Sequence, residues 1–256
     1  MVMLLKPFAG LYAAFFLLTW PKDTNCIKGD EVDLHGHKKN AICEFMSVEK
    51  LKKIAKKYNN ATLNDVVLAM ASVALKKYFE KHGSPDNQSA NLFIPFSFRA
   101  LPRTAKDLVI ENDFSALTFT LDLRRDFRES IGLVQKKTQA LKKSMFPFGI
   151  RMVQDVASLL PGMIGQLIIF WLVGKATLLF SNVPGPKHGL VYGGKKAFAF
   201  VVLVPGTGDQ AFGMTGISMG NNLTFAIQAD TSMVKEPKEF KILIEQLYLD
   251  LCKQVE

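Results

Sequence analysis

TLNDVVLAMASVALKKYFEKHGSPDNQSANLFIPFSFR, residues 62–99, sets a long helix, a breaker and a strand in direct succession. Thr62 offers a hydroxyl to cap a helix start, and Asp65, three residues on, completes a capping box. Val66, Val67, Met70, Val73, Ala74 and Phe79 then carry an apolar helix to the breaker Gly83-Ser84-Pro85. Residues 91–98, NLFIPFSF, are rich in aromatic and branched side chains and predict a strand that runs into Arg99. A buried helix followed by such a strand is the unit of an α/β layer.

Outward from this stretch the pattern repeats. Upstream, a connection rich in charge and glycine at 21–40 leads to a helix beginning at Ser47, with Val48, Leu51, Ile54 and Tyr58 on one face. Downstream, residues 116–123 alternate Leu117, Phe119, Leu121 and Leu123 with Thr118, Thr120 and Asp122, which predicts a strand with one buried face. A basic amphipathic helix follows over about 126–145. The last third predicts strands at 176–180, 197–204, 212–219 and 223–229, with the turn-rich Ser181-Asn182-Val183-Pro184-Gly185-Pro186 after the first. A helix over 237–255, burying Phe240, Leu243, Ile244, Leu247 and Leu251, closes the chain. The expected fold is α/β, a mixed sheet flanked by helices.

Composition limits the function classes. With 256 residues, 48% hydrophobic and 21% charged, the chain has enough apolar material for a core, which excludes a disordered tail or a stapled mini-protein. The net charge of +9 favours anionic partners: nucleic acid, an anionic lipid surface or a phosphorylated coenzyme. Lys50, Lys52, Lys53, Lys56 and Lys57 crowd one helix and Lys136, Lys137, Lys142 and Lys143 another, but both helices have apolar faces, so solvated surface is the plainer reading. No nucleic-acid-binding module accompanies the charge, so no nucleic-acid partner is expected. Cys26, Cys43 and Cys252 show no paired spacing, and Cys26, His35, His37 and Cys43 match no standard zinc pattern, so no metal is expected.

Two uncharged stretches bear on membranes. Residues 7–20, PFAGLYAAFFLLTW, are short for a spanning helix and lack a signal-peptide cleavage site, leaving an interfacial anchor or a buried helix. Residues 156–174 are long enough to span on count alone, yet Pro161-Gly162 splits them. A hydrophobic helical hairpin that lines a lipid site or dips into a membrane surface is the expectation, beside plain core packing.

Several motifs fall away on inspection. GLVYGGKK at 189–196 nearly fits a phosphate-binding loop, but Lys196 replaces the metal-binding hydroxyl and no helix follows. His82 and Asp86 have the HxxxD spacing of a coenzyme A-dependent acyltransferase base, but His82 sits in a polar loop where a solvated histidine is the plainer reading. Sequons at Asn60, Asn87 and Asn222 are too frequent by chance to weigh. Asp65 is explained as a cap, whereas Asn64 beside it has no such explanation, and its amide is free to donate to and accept from a loop or a ligand.

NDVVLA at 64–69, IPFSFR at 94–99, Glu111-Asn112-Asp113-Phe114-Ser115 and SNVPGP at 181–186 follow one another in order. After them come Tyr192-Gly193-Gly194, Pro205, a Gly-rich turn at 206–208 and a strand ending in Ala229-Asp230. Together they resemble the wax ester synthase and acyl-CoA:diacylglycerol acyltransferase (WSD1-like) family over roughly residues 40–256, its carboxy-terminal domain.

The resemblance implies one half of a chloramphenicol acetyltransferase-like, coenzyme A-dependent acyltransferase fold. Residues 1–40 would be an apolar segment and interdomain crossover, and 41–256 the acyltransferase domain. It implies O-acyl transfer in triacylglycerol or wax ester biosynthesis, from acyl-CoA as co-substrate, with no bound cofactor, to diacylglycerol or a long-chain alcohol. Asn64 and Asp65 would support the catalytic centre, and Ser181, Asn182, Pro184 and Gly185 would shape the substrate tunnel. The family's HHxxxDG base belongs to an amino-terminal domain, and this sequence holds no His-His pair, so such a domain is an implied partner. A membrane-associated location on the cytosolic side of the endoplasmic reticulum or plasma membrane is implied as well. The alternative is a catalytically inactive lipid-binding or interaction protein with half the fold.

Overall fold

The computed structural model describes residues 2–29, 34–99, 111, 113–204, 206 and 210–255. Asn112, Pro205 and Gly208, which belong to the motif order above, lie outside them. Helix α1 (Val2–Thr19) leads by an irregular segment to strands β1 (Lys38–Ile42) and β2 (Met46–Ser47). Helices α2 (Val48–Lys57) and α3 (Leu63–Lys81) precede β3 (Ser89–Ser97) and β4 (Phe114–Asp122). Helices α4 (Phe127–Lys143), α5 (Phe146–Ala157) and α6 (Gly162–Val173) then cross to β5 (Leu178–Val183). The small hairpin β6 (Val191–Tyr192) and β7 (Lys195–Lys196), strands β8 (Phe212–Met219) and β9 (Asn222–Asp230), and α7 (Lys238–Lys253) complete the chain.

The main sheet runs β1-β9-β8-β5-β3-β4, with β2 also paired to β9. Strand β5 lies parallel to both β3 and β8, while β4 and β9 run antiparallel to their inner neighbours. A parallel partner requires a crossover, and α4, α5 and α6 supply it between β4 and β5. Every second strand residue faces one continuous core: Leu92, Phe119, Phe180, Met214, Phe225 and Ile227 pack with Val66, Met70, Val73 and Phe79 of α3. Alternation within the strands and the apolar face of the helix therefore meet in one layer interface.

Ser47 and Thr62 cap α2 and α3 as their sequence predicts, and Pro161 separates α5 from α6. Two expectations need correction. Ser181, Asn182 and Val183 are the end of β5, so the turn begins only at Pro184. Residues 197–204 are not a strand. They lie irregularly against the second face of the sheet, where Thr215 Oγ1 donates to Val202 O. Val204 Cγ2 sits 2.5 Å from where a Cβ on Gly213 would be. Their unbroken apolar run reflects covering a sheet, with Gly213 leaving room, rather than pairing within one.

Helix α1 packs on α5 at very close range. A Cβ on Gly149 would stand 2.3 Å from Ala9 O and 2.9 Å from Ala13 Cβ. The segment after α1 is latched to the sheet by polar groups. Trp20 Nε1 donates to Thr120 Oγ1 (3.2 Å), Thr120 Oγ1 to Asn91 Oδ1 (2.7 Å), and Asn91 Nδ2 to Pro21 O (2.9 Å). Asp23 accepts from Asn91 N and from Thr177 Oγ1. No helix among the described residues is long and apolar enough to cross a membrane.

Two outcomes follow from this packing. Gly149→Ala gains about 1 kcal/mol of helix propensity, but overpacking against the α1 backbone costs about 1–3 kcal/mol. Urea unfolding should therefore show a net loss, and a gain would contradict the close approach. At Asp23, burial pushes the carboxyl above its ordinary 3.8, against the hydrogen bonds from Thr177 and Asn91. Its contribution to stability is full below 3.8 and falls as pH rises through the elevated value. Asp23→Asn should remove that step from the pH dependence of Tm and raise Tm near neutrality.

Candidate functional site at the carboxyl end of the parallel strands

In an open α/β sheet, the carboxyl ends of parallel strands and the starts of the helices above them are where ligands bind. Here β5 ends at Val183 and α3 begins at Leu63, and the two meet. Asn182 Nδ2 donates to Asn64 Oδ1 at 3.3 Å, joining two residues 118 positions apart. Both are half-buried, and Asn64 Nδ2 has no partner among the described residues. With its oxygen engaged, Asn64 presents an amide donor at an open edge. Exposed Val183 and Phe96, at the carboxyl ends of β5 and β3, give that edge an apolar rim.

Asp65 faces the other way. It is 2% exposed, and its Oδ2 accepts from Thr62 N and Thr62 Oγ1, both at 2.8 Å. Its Oδ1 accepts from Thr138 Oγ1 of α4 at 2.7 Å. A buried carboxylate with each oxygen engaged is a structural tie, so Asp65 holds the start of α3 against α4 and thereby aims Asn64.

The SNVPGP segment divides by strand alternation. Asn182 shares the side of Phe180 and faces α3, while Ser181 points to the opposite face of the sheet. Pro184 is exposed. Gly185 N donates to Ser218 Oγ at 3.2 Å, and a Cβ on Gly185 would fall 1.9 Å from Ser218 O, so only glycine lets this turn seat on β8. Gly216, opposite Asn182 in the register, matters for the same reason: its absent Cβ would stand 2.8 Å from Asn182 Oδ1. Gly216, Ser218 and Thr138 are site-forming residues that sequence reading missed. For Gly216 the signal was there, since a glycine inside a strand pattern marks a close approach.

Other candidates are brought elsewhere. His82 stacks on Tyr78 with centroids 4.0 Å apart and bonds Glu239 at 2.9 Å, which ties α3 to α7. Burial pushes the Cys43 thiol up to about 12, with nearby Glu245 adding to the shift, so it is no thiolate ligand at neutral pH. Among the described residues no group of three or more His, Cys, Asp or Glu could hold a metal ion.

The mixed sheet flanked by helices is the fold shared with solved wax ester synthase/diacylglycerol acyltransferase and condensation domains. Residues 110–250, more than half of the chain, match the family described as the WS/DGAT C-terminal domain. The chain belongs to that family. It is 26% identical over 157 residues to an O-acyltransferase WSD of Acinetobacter baylyi, covering 60% of this chain and 33% of that protein. Its structure superposes on the wax ester synthase/diacylglycerol acyltransferase from Marinobacter aquaeolei VT8 with a TM-score of 0.62 at 16% identity, covering 98% of this chain and 57% of that one. A starter condensation domain of rhizomide synthetase RzmA, solved with C8-CoA and Leu-SNAC, gives a TM-score of 0.58 at 10% identity over 98% of this chain and 52% of that one. The chain thus spans a third of the curated relative and just over half of each solved one.

Thr138→Val keeps the shape of the side chain but leaves one oxygen of Asp65 without its buried donor, a loss of about 1–3 kcal/mol. Chemical denaturation measures it; wild-type stability would remove Thr138 from the tie.

Proposed function

We propose that this chain is the carboxy-terminal domain of an acyl-CoA-dependent O-acyltransferase that transfers a fatty acyl group to diacylglycerol or a long-chain alcohol, forming triacylglycerol or wax ester. The observation that carries this reading is the Asn182–Asn64 hydrogen bond, which joins two separate family motifs at the carboxyl end of the parallel strands. Family membership and the fold shared with a C8-CoA-bound condensation domain support it.

In such a transfer the acceptor hydroxyl attacks the thioester carbonyl, its proton passes to a base, and negative charge develops on the carbonyl oxygen before the coenzyme A thiolate departs. Asn64 Nδ2, held outward by Asn182, is placed to donate to a substrate oxygen at this edge. Asp65 acts through Asn64 as a positioning residue. The general base comes from a partner domain bearing HHxxxDG, because this sequence has no His-His pair. Residues 1–40 are the crossover from that domain, and the exposed Val183 and Phe96 face it or the acyl chain. Pro184 and Gly185 shape the mouth, with Gly185 setting the path of the turn, while Ser181 lies on the opposite face of the sheet. The lipid acceptor places the reaction at a membrane surface.

Supplying the chain with a domain bearing HHxxxDG and radiolabelled acyl-CoA should restore ester formation that the chain alone lacks. No restoration would favour the lipid-binding alternative. In the reconstituted enzyme, Asn64→Ala should lower kcat by about 10²-fold, the scale of one lost transition-state donor, with Tm unchanged. Asn182→Ala should lower kcat less, because Asn64 loses its orientation rather than its amide. Unchanged turnover in both would reduce residues 64–69 to a capped core helix.

A further inference from the structure

The turn between α2 and α3 and the first half of α4 enclose a notch of about 210 Å³. Small-molecule sites run from roughly 300 Å³ upward, so this volume suits one charged group of a ligand rather than a whole one. Two cations stand in its wall, Lys57 at the end of α2 and Arg128 in the first turn of α4, and among the described residues no carboxylate lines it. Asp126, two positions before Arg128, spends its carboxylate as the cap of α4, where Oδ1 accepts from Glu129 N at 3.0 Å.

Solvated surface accounts for most lysines of α2, but Lys57 is tethered. Its Nζ donates to Gln254 O at 3.0 Å, and the neighbouring Tyr58 hydroxyl donates to Gln254 Oε1 at 3.2 Å. A neutral acceptor leaves the ammonium charge uncompensated and two of its N–H donors unspent. Arg128 makes no hydrogen bond or ion pair among the described residues, so its fork of donors is unspent as well. Asn59 and Asn60 hold left-handed conformations, φ 53° and 51°, that few residues besides glycine adopt. Gln135 Nε2 of α4 donates to Asn59 O at 3.0 Å, which holds this turn against α4 and fixes the spacing of the two walls.

Gly132 also lines the notch. Glycine is among the least favourable residues inside a helix, and no close neighbour requires it here, since a Cβ would meet nothing within 4 Å. Its missing side chain instead opens the space between Arg128 and Gln135, four residues before it and three after it on the same face.

We propose that this notch binds a terminal phosphate group. Such a group carries close to two negative charges near neutrality and presents three oxygens. A guanidinium fork takes two of them and an ammonium the third, so two cations without a carboxylate match both its charge and its shape. A carboxylate ligand, with one charge and two oxygens, leaves the second cation unmatched. Inorganic phosphate and the ribose phosphate of coenzyme A both supply the group. The inference stands on the notch alone and holds whether or not the chain takes part in acyl transfer.

Titration of the full chain with inorganic phosphate, coenzyme A and dephospho-coenzyme A, which lacks the ribose phosphate, tests this through the backbone amide resonances of Asn59 and Gly132. In wild type these resonances should move and saturate. Arg128→Gln and Lys57→Gln should each weaken binding by about tenfold or more, the scale of a lost charge-assisted hydrogen bond. Gly132→Leu should fill the notch and abolish binding while raising Tm, because leucine is the better helix former; a damaged fold would lower Tm instead. Lys142→Gln, in the last turn of α4, removes the same charge away from the notch and should bind as wild type.

Tighter binding of coenzyme A than of inorganic phosphate assigns the site to the coenzyme, and equal affinities assign it to the free ion. No saturable movement with either, unchanged affinity in the Arg128 and Lys57 variants, or an equal loss in the Lys142 variant would overturn the proposal. So would dephospho-coenzyme A binding as tightly as coenzyme A, because the notch would then read some other part of the molecule.

Discussion

The carboxylate of Asp65 is the interaction on which the arrangement around the site depends. An ionised group taken out of water is costly to bury unless its lone pairs are engaged, and three donors from Thr62 and Thr138 engage them. That requirement fixes the first turn of α3 and the approach of α4. Asn64, the adjacent residue on the same turn, meets Asn182 at the end of β5, and the glycine at 216 clears the space the pair occupies.

The sheet sets the second constraint. Making β5 parallel to β3 obliges the chain to leave the sheet after β4 and return, and the excursion carries the most apolar helix of the protein. Helix α1 and the segment after it anchor that excursion through Gly149, Lys175 and the Trp20–Thr120–Asn91 latch. Anchorage is confined to one end of α6, which explains how a helix with no buried residue is held in a defined place.

Much of this was legible along the chain. Thr62 and Asp65 announced a capping box, Pro161-Gly162 announced a break, and the apolar content of β8 and β9 bounded them within a residue of their ends. The strand assigned to 197–204 failed for a physical reason: an unbroken apolar run reports that a segment packs against something, not what pairs with its backbone. Likewise Asn182 stood in a run rich in turn residues, where proline and glycine at 184–186 masked a strand that continues through Val183. At the site, Asn64 and Asn182 were each visible as residues without a local purpose, but nothing local links positions so far apart.

What the sequence determined by itself is whatever acts within a few residues: helix starts and stops, strand faces, the family's ordered motifs, and the uncharged run that had to find apolar surroundings. Only the tertiary structure decided which of those features meet. It paired Asn64 with Asn182 and spent Asp65 on a structural tie. It gave His82 to a surface contact with Glu239, and packed α6 only at its end, through Leu172 and Val173. The reason is that local propensity and capping are read over one or two helical turns, whereas the contacts that build a site depend on how a mixed sheet brings distant segments to one edge.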